Sequence, residues 1–243
     1  MANKMIRAIN AGIGLLNPKS WGPFVEAYDR TKFNHGFSVS WSQGGEDLAL
    51  AGLFPVSYRG NYVDVGAHHP SRFSVTRHLY QNGWSGVNVE ANPDLIAAFL
   101  AQRPRDKNLW ACVGTESKYS LNVFEEPAIS TVNDAWKERF LLENQKISKV
   151  VDIPGISLLT ILKENFPESS IDLLCIDAEG SDLNVLQSGF FEKNSQYKPR
   201  WLVLESTPPI EDSLKTPAVA YAISLGYKPH MVLSMSTILR LES

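Results

Sequence analysis

Five carboxylates stand at or beside points where an apolar run of this chain stops: Asp64, Glu90, Asp177, Glu179 and Glu205. Such groups can accept the hydroxyls of a ribose, take a proton from a hydroxyl, or hold a divalent cation. Asp64 lies inside the run Tyr62-Val63-Asp64-Val65, which continues into Gly66-Ala67-His68-His69-Pro70. Burying a carboxylate without a partner is costly, so Asp64 faces a crevice or bonds the turn beyond it. Gly66 lets the backbone come close to a ligand. A dinucleotide site repeats glycine here as G-x-G-x-x-G, whereas this chain has one glycine and then Ala67, His68, His69 and Pro70. That disfavours a pyrophosphate cradle and favours a ligand without phosphates, of which S-adenosylmethionine (SAM) is the common one. Glu90 closes the run Gly86-Val87-Asn88-Val89 and is placed to take both hydroxyls of a ribose. Asp177 and Glu179 follow the apolar run that ends at Ile176. One of them suits a metal ligand and the other a base, or both cap a helix starting near Asp182. His68 and His69 are too close in sequence for the usual spacing of zinc ligands, so the pair reads as the polar wall of a pocket.

The elements that must carry these groups alternate. Strands are expected at residues 60–65, 86–90, 108–113, 171–176 and 201–205, and helices at 72–82, 93–102, 157–165, 183–188 and 214–225. Asn92 caps the second helix with Pro93 at its first position, and Gly226 closes the last one. Residues 119–124 alternate as an extra edge strand, and 227–233 with 237–241 form a terminal hairpin. Strand–helix alternation predicts a mostly parallel sheet with helices on both faces, and the hairpin adds an antiparallel edge. Ligands of such sheets sit beyond the carboxyl ends of the strands, where the five acids fall. Residues 125–150 are long and polar, with a short helix expected at 135–144; a connection of that length reads as a lid over a pocket.

The 243 residues, 44% hydrophobic, suffice for one large α/β domain. Residues 1–37 read as an N-terminal appendage and 38–243 as the domain. A net charge of −3 offers no basic field for nucleic acid. No apolar run is long enough to span a bilayer. Residues 1–16 place Ile6, Ile9, Ile13 and Leu16 at helical spacing without an apolar h-region, so they read as a packed helix rather than a signal peptide, with peripheral membrane contact as the lesser reading. Cys112 and Cys175 fall near the ends of expected strands, and the sheet order that the resemblance given below implies sets them about 14 Å apart, too far for a disulfide. Free buried thiols suit a cytoplasmic protein.

The motifs, in order, resemble those of the FkbM-type SAM-dependent methyltransferases. Ser42-Gln43-Gly44-Gly45-Glu46-Asp47 is similar to the family's S-Q-x-G-E-D opening, and residues 62–70 to its glycine motif. Gly83-Trp84 through Glu90-Ala91-Asn92-Pro93 resembles G-W-x-G-x-x-x-E-x-N-P, and Ser130-Thr131 a short S-T motif. Ile171-Asp172 through Asp177-Ala178-Glu179-Gly180 resembles I-D-x-L-K-I-D-x-E-G, with Cys175 in place of the lysine. The resemblance implies a Rossmann-like methyltransferase fold, a seven-stranded sheet in the order 3-2-1-4-5-7-6. It implies a SAM site made by Gln43, Asp64, Gly66, Ala67, Glu90, Ala91, Asn92, Val113 and Asp177. It also implies methyl transfer to a hydroxyl, with sugars, glycans and glycosylated natural products as acceptors. Related sugar O-methyltransferases hold a divalent ion at the ends of the fourth and fifth strands, which makes Asp177 and Glu205 the candidates for Mg²⁺.

A sugar hydroxyl is a poor nucleophile at neutral pH and needs a base or a metal. Glu179, His69 and Asp177 are the candidate catalytic groups. Glu46 and Asp47 either close over the donor's amino group or the acceptor, or form a charge pair at a helix start. Three other readings stand beside O-methylation: a nicotinamide oxidoreductase, which the missing glycines disfavour; N-methylation of a small amine or protein side chain; and a non-catalytic SAM-fold partner in a glycan-synthesis complex.

Overall fold

The computed structural model describes residues 39–167, 171–189, 197–206 and 210–242. The appendage expected over residues 1–37, with its amphipathic helix, lies outside the described residues. The chain enters through a short helix, α1 (Glu46–Ala51), and the first strand, β1 (Asn61–Val65). Next come α2 (Arg77–Gln81), β2 (Ser85–Glu90), α3 (Pro93–Gln102), β3 (Lys107–Trp110), β4 (Cys112–Val113) and β5 (Lys118–Phe124). A 3₁₀ turn (Pro127–Ile129) leads to α4 (Asp134–Leu142), β6 (Ile147–Ile156), α5 (Leu158–Asn165), β7 (Leu173–Ile176) and α6 (Asp182–Ser188). The described chain ends with β8 (Trp201–Glu205), α7 (Ile210–Ser213), α8 (Pro217–Ser224), β9 (Tyr227–Val232) and β10 (Ser236–Leu241).

The main sheet runs β3-β2-β1-β7-β8-β10-β9. The first five strands are mutually parallel, and β10 runs antiparallel to both β8 and β9. In chain order of these seven strands this is 3-2-1-4-5-7-6. Alternation along β1 splits its side chains between two cores. Val63 and Val65 pack with Val87, Val89, Ile176 and Leu204 against Leu158, Ile161 and Leu162 of α5 and Val185 of α6. Tyr62 packs on the other face with Trp84, Leu173, Cys175 and Ile238, beneath Leu50 and Leu79. A sheet buried on both faces needs apolar residues at consecutive positions, which is why β7 reads Leu-Leu-Cys-Ile without alternation. Cys175 sits in that core, and both cysteines are free and buried.

Three elements depart from the sequence expectation. The helix expected from residue 72 starts at Arg77. Before it, the chain wraps around the fully buried Arg103, whose guanidinium donates to the Pro70 carbonyl, Ser74 and Thr76. Polar side chains there take over backbone and hydroxyl partners that a helix would need free. The strand expected at 108–113 breaks after Trp110, and Cys112 and Val113 leave the main sheet. They join a second, three-stranded sheet, β4-β6-β5, in which β5 pairs antiparallel with the unexpected β6. Pro154 and Gly155 inside β6 hide it from a pattern-based reading. The last helix starts at Pro217 rather than at 214, with Pro at its first turn. Among the described residues, no helix is long and apolar enough to cross a membrane.

Candidate active site

The carboxyl ends of β1, β2, β7 and β8 fall side by side because those strands are parallel neighbours. The ladder continues past them: Gly66 and Ala67 donate backbone N–H to the Val89 carbonyl, and Asp177 donates to Val65. At Gly66 (φ +74) a Cβ would lie 1.8 Å from the Asp177 carbonyl oxygen, so only glycine allows these two loops to meet.

Two cavities open at this edge. The first is lined by Gly66, Glu90, Ala91, Cys112, Val113 and Leu121, and closed by residues 127–132. Its walls are mostly apolar, with one carboxylate at the β2 end, which suits a nucleoside: a flat base against the aliphatic wall and a ribose at Glu90. Glu90 is buried, and its two carboxylate oxygens take backbone N–H groups from His68 (2.7 Å) and Asn92 (2.6 Å). Burial outweighs those bonds and lifts its pKa to about 7. Burial also pushes the Cys112 thiol up to about 12, so it is an inert wall.

The second cavity lies alongside and is lined by Gln43, Phe73, Trp136, Arg139, Phe140, Glu205 and Met235. Gly66, His68, Ala128, Asp177 and Glu179 line both cavities, so the two meet there. Of the non-glycine residues with left-handed backbone, His68 (φ 51), Phe73 (φ 58) and Glu179 (φ 46) all belong to this second wall. Such conformations are costly for large side chains and collect where function requires them. The loop carrying Glu179 is held from outside: Thr131 donates its hydroxyl to the Glu179 carbonyl, and the Asn133 amide donates to the Gly180 carbonyl, each at 2.9 Å. Trp136 covers Gly180, where a Cβ would come within 2.2 Å of the indole.

The carboxyls around the junction raise one another. Asp177 is open to the cavity yet enclosed by the strand ends, and burial, then Asp64 and Glu46, push its pKa up. Burial, then Asp177 and Asp182, push Glu179 up to about 9, and Glu205 rises for the same reasons; Arg139 pulls both down. Asp182 follows Ser181 in the first turn of α6, and Asp177 and Glu179 are left to face the cavities rather than cap that helix.

The structure redistributes several expected roles. Gly66, Glu90, Ala91, Val113 and Asp177 line the first cavity. Asp64 is not among the lining residues; it is buried and accepts the Thr76 hydroxyl at 2.6 Å, a partner at the start of α2 rather than in the glycine turn. Ala67 is buried behind the wall, and Asn92 caps α3 by accepting the Asp94 N–H. Gln43 lines the second cavity rather than the first. His69, expected as a base, is not among the residues lining either cavity, and its Nδ1 accepts the backbone N–H groups of Ser71 and Arg72, whereas His68 faces both cavities. Glu46 and Asp47 are buried in loop bonding, Glu46 to the Gly44 N–H and the Ser236 hydroxyl, and Asp47 to Ser40, Trp41 and Ser42. Among the described residues, no group of three or more His, Cys, Asp or Glu is arranged to hold a metal ion, so no third such ligand completes the expected Asp177–Glu205 pair. Trp136 and Arg139 fall in the helix expected at 135–144 of the lid segment, whereas Phe73 and Met235 carried no signal beyond their residue type.

The sequence pattern described as the methyltransferase FkbM domain matches residues 64–228, more than half of the chain. No curated protein matches it in sequence. Several solved structures are similar in shape at low identity. A TehB-like SAM-dependent methyltransferase from Corynebacterium glutamicum has a TM-score of 0.41 and 11% identity, covering 93% of this chain and 100% of that one. An O-methyltransferase from Bacillus cereus in complex with SAH has 0.42 and 10%, covering 98% and 97%. Fibrillarin from Aeropyrum pernix, with SAM bound, has 0.43 and 10%, covering 84% of each chain.

Proposed function

The chain belongs to the FkbM methyltransferase domain family, and on that premise we propose that it transfers the methyl group of SAM to a hydroxyl oxygen, with Glu179 taking the proton. The observation that carries this reading is the junction: a mostly apolar cavity with Glu90 at its β2 end and an aromatic, acidic one meet at Asp177, Glu179 and His68. Bound in the first cavity, SAM supplies an electrophilic methyl on a cationic sulfur. Glu90 accepts from the ribose, and the aliphatic wall from Val89 to Val113 packs the base. A positive charge at the junction opposes the field of Asp177 and Asp182 and draws Glu179 toward its base form. As the acceptor oxygen bonds to the methyl carbon, the carbon–sulfur bond breaks with its electron pair left on sulfur, and the hydroxyl proton passes to Glu179. The chain contributes mainly alignment and proton transfer. Among the described residues no third His, Cys, Asp or Glu groups with Asp177 and Glu205, and no step is routed through Mg²⁺.

The acceptor we assign to the second cavity is a sugar, a glycan or a glycosylated natural product. Phe73, Trp136 and Phe140 offer aromatic faces beside Glu179, Glu205 and Gln43. That combination suits a ring apolar on its faces and polar at its rim. The excess of carboxylates over Arg139 supports a second reading, an amine acceptor. One experiment separates them. The protein is incubated with methyl-¹³C SAM and a small-molecule extract of its source cells, and the labelled methyl is identified by ¹H–¹³C correlation. An O–CH₃ signal is expected; an N–CH₃ signal as the sole product contradicts the hydroxyl reading.

A further inference from the structure

His68 faces both cavities but is not used as a base in the mechanism above, and its hydrogen bonding says why. Its Nε2 lies 3.1 Å from Nη1 of Arg72. A guanidinium has donors only, so Nε2 must accept with its ring lone pair. A neutral imidazole then carries its proton on Nδ1. Arg72 is itself fixed. Both of its terminal nitrogens bond the Glu126 carboxylate, at 2.9 and 3.0 Å, and its guanidinium lies 4.1 Å from the centre of the Phe73 ring. Phe73 stacks in turn on His68, with ring centres 6.0 Å apart and planes 22° apart. Burial, then the Arg72 charge, hold His68 down at about 4, so the ring is neutral at physiological pH. Its Nδ1 has no hydrogen-bond partner among the described residues, and it is not among the fully buried unpartnered atoms. His69 does not duplicate this arrangement, since its own Nδ1 accepts backbone N–H groups.

We propose that Arg72 is a positioning residue that locks His68 as an Nδ1–H donor at the junction of the cavities, and that this donor binds the oxygen of the acceptor hydroxyl. The inference rests on reading the second cavity as the acceptor's. It also deepens that reading. A hydroxyl oxygen has one proton and two lone pairs. With its proton on Glu179 and one lone pair on His68, one lone pair remains for the methyl carbon. A neutral amine has a single lone pair, and an N–H donor at that place occupies it. The junction therefore selects oxygen over nitrogen.

The test is a two-bond ¹H–¹⁵N correlation of the histidine rings, with His68 assigned by the loss of its signals in His68→Asn. The wild type is expected to show the proton on Nδ1, and Arg72→Leu to shift the ring toward the Nε2–H form. An Nε2–H ring or an imidazolium in the wild type overturns the proposal. Calorimetry with S-adenosylhomocysteine supplies the second arm. Arg72→Leu, outside both cavity walls, is expected to bind it within about twofold of wild type, because the donor that Arg72 sets serves the acceptor; a loss of about tenfold or more, one hydrogen bond's worth, shows that the Arg72–His68 pair serves the methyl donor instead and overturns the assignment. His68→Asn tolerates a left-handed backbone and keeps an N–H near the Nδ1 position. It should restore methyl transfer that His68→Leu loses, and failure of that rescue in a folded variant counts against the donor role. If the wild type fails to bind S-adenosylhomocysteine, the methyltransferase reading falls while the tautomer result stands by itself.

Discussion

Glu90 shows how one carboxylate can hold a site together and bind in it. Its oxygens already take the N–H groups of His68 and Asn92, which tie the glycine loop to the start of α3. Ribose hydroxyls would use the remaining lone pairs. An isosteric Glu90→Gln change keeps one acceptor oxygen and removes the charge. Charge-assisted bonds contribute about 1.5–3 kcal/mol, so SAM affinity is expected to fall by roughly 10- to 150-fold, with a lower Tm because one backbone N–H loses its partner. Calorimetry returning wild-type affinity takes the ribose away from Glu90. The place of Glu90 at a strand end was legible because Val-Asn-Val before it marks a strand. The choice between His68 and His69 was not, because the left-handed turn at His68 decides which ring faces the cavity, and no residue type announces that turn.

At the scale of elements, the segment between β5 and β6 builds much of the site. Asn133 caps α4 by accepting the N–H groups of Ala135 and Trp136, and its amide also donates to Gly180. One residue thus starts the helix that brings Trp136 and Arg139 to the second cavity and steadies the loop of Glu179. Asn133→Ala is expected to cost about 1 kcal/mol as a lost cap. Hydrogen exchange should quicken at residues 178–181 as well as at 134–137. Faster exchange in α4 alone would show that the loop keeps its conformation without this clamp. The sequence revealed α3 with its Asn92-Pro93 start, and β8 to the residue, because caps and uninterrupted apolar runs are local signals. It concealed β6, where Pro and Gly interrupt the pattern, and the loop before α2, where Arg103 draws the chain around itself.

Over the whole molecule, sheet order converts distant segments into one site. β1, β2, β7 and β8 are separated along the chain but adjacent and parallel in the sheet, so Gly66, Glu90, Asp177 and Glu205 emerge at one edge. The first cavity was largely legible for that reason: many of its residues follow strands, and strands follow from pattern. The second cavity was legible in part: residues 125–150 read as a lid over a pocket, whereas Phe73 and Met235 join them only through long-range packing that no local pattern records. What the assembled site claims is that a carboxyl at the cavity junction does the proton chemistry. The most direct measurement is the rate of labelled-methyl transfer by Glu179→Gln across pH, beside S-adenosylhomocysteine affinity. Glu179 is raised above the ordinary carboxylate range, so the wild-type rate should climb with pH through neutrality as the base form fills. The variant should transfer about 10²- to 10⁴-fold more slowly, without that climb and with affinity nearly unchanged. A variant that keeps the wild-type rate and pH profile contradicts the account.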